Sequence, residues 1–169
     1  MALHAARPRR PLRALGSVLG VLIVVLTATA FWVGAQLRDA QAEADDRRAA
    51  LRAAGAHAVH LLSIGHRSID ADLERILGSS TGAARAEYTR TAADLRKNTV
   101  KDKIVQTGAL RACALVSMKD DTARVMVVAD AVIRWDGTDR APQERFHRWN
   151  MEVTKVSKTW LVSKAELVL

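Results

Sequence analysis

"IVQTGALRACALVSMKDDTARVMVVADAVIRW", residues 104–135, is two alternating apolar runs hinged on a short polar break. The first run puts Ile104, Leu110, Ala112, Ala114 and Val116 on one face of an extended chain; the second does the same with Val125, Val127, Ala129, Ala131, Ile133 and Trp135. Alternation with a period of two marks a strand that buries one side. Lys119-Asp120-Asp121-Thr122 supplies the turn, so the stretch is predicted to be a β-hairpin.

Further along, "DGTDRAPQE" (136–144) reads as a longer turn, and "RFHRWNMEVTKV" (145–156) aligns His147, Trp149, Met151 and Val153. A tight "SKT" turn (157–159) leads into "WLVSKAELVL" (160–169). Four consecutive strands on short loops predict an antiparallel meander.

Upstream the spacing changes to three and four residues. Arg38–Gly65 carries Leu51, Ala54, Ala58, Leu61 and Leu62 at helical intervals, with a weakly patterned first half that suits a stalk. Ser68 is placed to cap a second helix with Asp70 and Asp72 in its first turn, where the helix dipole favours anions, and with Ile69, Leu73, Ile76 and Leu77 as its stripe up to Gly78. Thr81 is placed to cap a third, whose inner face is Ala84, Tyr88, Ala92 and Leu95. Helices before a meander predict an α+β layer, three helices on one face of a four-stranded antiparallel sheet.

Ala14–Leu37 holds no charge over 24 residues, a length that at about 1.5 Å per residue exceeds a hydrocarbon core of about 30 Å. Leu15, Val18, Leu22, Ile23, Val25 and Leu26 provide its apolar body, and Phe31 and Trp32 suit the headgroup level. A signal cleaved after Ala28-Thr29-Ala30 competes with this anchor, but it would leave Phe31, Trp32, Val33 and Leu37 as an apolar stub. Arg7, Arg9, Arg10 and Arg13 precede the run without an acid, whereas its other flank mixes signs, so the N-terminus is expected in the cytoplasm and the rest outside it. The expected division is a basic tail 1–13, a span 14–37, a stalk 38–55 and a domain 56–169. Without the four leading arginines the formal charge falls from +8 to +4, so half the basicity is a topology signal and not a nucleic-acid footprint.

Cys113 is the one cysteine, which excludes an internal disulfide and a multi-cysteine zinc site. His57 and His60 stand three apart on one helix, yet no ligand pattern completes them, and a structural pair is expected; His66 falls in a loop. The Asp70 and Asp72 side chains diverge by about 200° on a helix, which fits capping better than paired acid and base. His147 and Asp130 would do acid–base chemistry only inside a closed pocket. Trp135, Trp149 and Trp160, with Arg134, Arg145 and Arg148 interleaved, lack the dense aromatic pattern of a base-stacking platform and are assigned to packing. No phosphate-binding, dinucleotide-binding, metalloprotease or nucleophile-elbow motif occurs, so no catalytic residue, metal or cofactor is assigned.

Taken in order, the span, "HLLSIGHRSIDADLERILGSSTGAARAEY" (60–88), "GALRACALVSMKDDTARVMVVADAVIRW" (108–135) and "VTKVSKTWLVSKAELV" (153–168) resemble the Mce-associated membrane proteins of actinobacteria. The residues carrying the resemblance are Asp70, Asp72, Thr81, Gly82, Tyr88, Ala123–Val128 and Trp160 through Ser163. It implies a cone-shaped domain like that of nuclear transport factor 2 on a membrane anchor. The function it implies is support of an Mce transporter that imports sterols or fatty acids, through protein contacts with its subunits. A lipid carried in the same fold, or an enzyme pocket there, are the alternative expectations.

Overall fold

The computed structural model describes residues 10–168, with side chains from Leu19 onward. Arg7 and Arg9 therefore lie outside the described residues, as do the side chains of Arg10, Arg13, Leu15 and Val18. The chain forms two compact units, Met1–Ala44 and Asp45–Leu169.

Helix α1 spans Arg10–Leu62. Pro11 falls in its first turn, where a missing N–H costs no hydrogen bond, and the next proline is Pro142. In the first unit the helix is apolar and long enough to cross a membrane, and Leu22, Ile23, Val25, Leu26, Phe31 and Trp32 are all exposed. Two hydroxyls of this segment are satisfied internally. Thr27 donates to the carbonyl of Ile23 at 2.9 Å and Thr29 to that of Val25 at 2.7 Å, the arrangement that hydrocarbon surroundings require.

The second unit packs the rest of α1, α2 (Ile69–Gly78) and α3 (Gly82–Lys101) with a five-stranded antiparallel sheet in the order β1-β2-β3-β4-β5. The strands are β1 (Ile64–Gly65), β2 (Ile104–Lys119), β3 (Thr122–Trp135), β4 (Gln143–Val156) and β5 (Thr159–Leu167). The meander is as expected; the two-residue β1, which pairs with Val105 and Gln106, is an addition too short to leave a periodic signal. Ser157 and Lys158 have φ of 49° and 72°, so the β4–β5 hairpin closes on a two-residue turn whose twist suits the strands.

The core lies between the helices and one face of the sheet. Ala50, Ala54, Ala58 and Leu62 of α1 meet Ala123, Val125, Val127, Ala129 and Ala131 of β3, with Trp149, Met151, Val153, Trp160 and Val162 beside them. Leu51 and Leu61, expected on this stripe, flank it half-buried, and the small alanines take its centre. Small side chains allow close approach: Leu62 backs directly onto Gly108 of β2.

β2 differs from the expected alternation. Its register against β3 shifts between Leu110 and Ala112 and again between Leu115 and Ser117, leaving Arg111 and Val116 as bulge residues. Each bulge inserts one residue and reverses which face follows. Leu110 keeps its place against α1, but Cys113, Leu115 and Met118 face the core, while Ala112, Ala114 and Val116, predicted to share the inner face, are turned outward.

Candidate interaction face

The residues that carry the resemblance converge on the joints of the second unit. Ser79–Gly82 lies along the outer edge of β5: Val162 donates its N–H to the Ser79 carbonyl at 3.1 Å, and Thr81 donates its own to the Val162 carbonyl at 2.8 Å. Gly82 opens α3 with a φ of +52°, a conformation that favours glycine, against the backbone of Ser163. The Ser163 hydroxyl bonds to Glu152 and Thr154 across the β4–β5 bulge. Thr81 was expected to cap α3 through its side chain; it makes no such bond and acts through its backbone.

Asp72 is also a joint. Its buried carboxylate accepts the Gly65 N–H and the Ser68 hydroxyl, both at 2.8 Å, and the guanidinium of Arg75. Ser68 thus gives its hydroxyl to Asp72 and makes no capping bond, and Asp72, in the first turn of α2 as expected, also ties β1 to α2. Asp70, exposed, pairs with Arg96 of α3.

Behind them lies a chain of hydroxyls and imidazoles. His57, fully buried, places Nδ1 2.8 Å from Ser79 Oγ and Nε2 3.2 Å from the Tyr88 hydroxyl, and His60 Nδ1 is 3.2 Å from the same Ser79 oxygen. Because Ser79 also donates to the Arg75 carbonyl, one tautomer satisfies every group: Tyr88 O–H to Nε2, and Nδ1–H to Ser79. Burial, with His60 adding to it, lowers the His57 pKa to about 4, and burial raises that of Tyr88 to about 12. Both groups are therefore neutral at neutral pH.

Asp46 accepts both bonds of the Lys155 ammonium, at 2.7 and 2.8 Å, and the Trp160 indole N–H at 3.2 Å, which ties α1 to the β4–β5 hairpin. The Lys155 bond is the main cause holding the Asp46 carboxyl below its usual pKa. Nothing in the sequence flagged this triad, since Asp46 lies 109 and 114 residues from Lys155 and Trp160. Among the described residues no three His, Cys, Asp or Glu gather to hold a metal ion. His147 stacks on Trp149 at 5.0 Å and Asp130 pairs with Arg111 on the opposite face, so the sheet keeps them apart. Two concavities of this unit are open grooves of about 460 and 510 Å³.

The first of those grooves belongs to the outer face of the sheet, which no helix of this unit covers. Ala109, Ala112 and Ala114 of β2 stand there beside Val116, Met126 and Phe146, the last three 58%, 44% and 75% exposed. Charges rim the strip: Arg111 with Asp130, Arg124 opposite Glu152, and Lys164 with Glu166 at 2.6 Å. An apolar strip within a polar rim is the make-up of a protein-binding face.

The family described as "Uncharacterized protein Rv1363c/MT1408-like" matches residues 13–169. The chain belongs to this family. The uncharacterized protein Rv1363c of Mycobacterium tuberculosis is 32% identical over 130 residues, 75% of this chain and 49% of the relative, so the chain spans about half the length of the curated relative it matches. CagV of Helicobacter pylori, a VirB8 homologue of a type IV secretion system, superposes with a TM-score of 0.58 at 10% identity, covering 70% of this chain and 95% of CagV. A putative scytalone dehydratase of Novosphingobium aromaticivorans gives 0.56 at 14% identity, over 76% of this chain and 86% of that one. At such identities the likeness is one of fold, and the second unit of this chain has a cone-shaped fold like that of nuclear transport factor 2.

Proposed function

We propose that the chain is a single-pass membrane-anchored accessory protein of an Mce lipid importer, acting through protein contacts and without catalysis. The observation that carries this reading is the uncovered outer face of the sheet, an apolar strip on a domain joined by one helix to a membrane-length apolar segment. The resemblance of residues 60–88, 108–135 and 153–168 to Mce-associated proteins supplies the transporter. Arg7, Arg9, Arg10 and Arg13 favour a cytoplasmic tail and an extracytoplasmic domain. The lipid-carrier alternative draws little support, because α1 and the large β4 side chains fill the inner face of the sheet.

Deletion of the gene in its host, followed by immunoblotting of the importer's subunits and by uptake of labelled cholesterol and oleate, tests this. Reduced subunit levels with slowed uptake of one lipid are expected. Unchanged levels with normal uptake of both would overturn it.

A further inference from the structure

We infer that the outer face of the sheet binds a second copy of this chain across a two-fold axis between β2 and β3; this rests on reading that face as a docking surface. The first argument is size. In register, Ala112 stands opposite Val128 and Ala114 opposite Met126. A two-fold axis along the strands lays β3 of one copy over β2 of the other, so Met126 and Val128 settle above alanines instead of against each other. Large against small is how facing sheets interdigitate.

The second argument is charge. The same rotation carries Asp130 of one copy towards Arg111 of the other, so the ion pair that each chain makes within itself extends across the interface. Cations and anions alternate around the strip, so a copy of itself complements it, whereas a partner rimmed by one sign meets like charge at half of it. The anchor provides the third argument. Whatever height the face has above a membrane, every copy has it at the same height, and confinement to one bilayer raises the copies' effective concentration.

The test uses the full chain in native membranes, carrying Cys113→Ser and Ala114→Cys, treated with a short bismaleimide. A crosslinked product of twice 18.4 kDa is expected. Its yield should fall at least tenfold in Met126→Glu and in Asp130→Arg, and recover in Arg111→Asp/Asp130→Arg, which restores opposite charges across the axis. Retained melting behaviour in each variant separates loss of contact from loss of fold. A product joined to a different protein overturns the second copy and leaves the docking face standing. If no product forms, and Met126→Glu leaves importer subunit levels unchanged, both fall.

Discussion

The Tyr88 hydroxyl lies 3.2 Å from Nε2 of His57, joining α3 to α1 through the middle of the helical layer. Burial, with His60 adding to it, keeps the imidazole in its neutral form, and the sign of the pH effect follows. The folded pKa of about 4 lies below the ordinary 6.5, so below pH 6.5 the unfolded chain takes up a proton that the folded chain refuses. Stability is full above pH 6.5 and should fall by roughly 3 kcal/mol as the pH drops to about 4, levelling below it. Burial lowers the His60 and His147 pKa values as well, with the same sign. Urea unfolding between pH 7.5 and 4 checks this, and His57→Gln should flatten most of the slope. Tyr88→Phe, which leaves Nε2 without its donor, should cost about 1–2 kcal/mol at neutral pH.

Asp72→Ala removes the acceptor of the Gly65 N–H and the Ser68 hydroxyl and should cost about 3 kcal/mol or more. Amide exchange at Gly65 gives a local readout. It should rise well beyond what the change in global stability accounts for, whereas Asp70→Ala, at an exposed pair, should leave it unaltered.

Two glycines facing neighbouring elements should respond in opposite ways to alanine. A Cβ on Gly108 would lie 2.5 Å from that of Leu62 and 3.1 Å from the Leu62 carbonyl carbon, so helix and strand must separate. A loss of about 2–3 kcal/mol is expected. On Gly55 the nearest atom is the far end of the Leu110 side chain at 2.8 Å, which can rotate away, and the helix gains a better former. Melting temperatures of the two variants, compared side by side, decide the matter.

Gly82→Ala should cost about 1 kcal/mol through its φ of +52° alone, since the nearest atom to the added Cβ stands at an ordinary 3.6 Å. Gly78→Ala, at the end of α2 with open space around it, should be neutral or slightly stabilising. Differential scanning of the pair separates backbone strain from packing.

The sequence made the elements legible because each rests on local period and turn chemistry. Alternation in 104–135 foretold the β2–β3 hairpin, three- and four-residue spacing foretold the helices, and an uncharged run foretold a helix of membrane length. Thr81, Gly82, Tyr88, Trp160 and Ser163 stood out by resemblance, but their pairings did not, because Val162, His57 and Asp46 are brought to them by folding over long separations.

What the sequence determined by itself is the order of the three helices and the four long strands, the apolar segment and the inner face of β3, all set by interactions within a few residues. Only the tertiary structure decided which way β2 faces beyond Leu110. A bulge is a property of two strands in register, so no periodicity in one of them reveals it. That reversal turned Ala112, Ala114 and Val116 from expected core into exposed surface, and with it made the outer face of the sheet the place to look for a partner.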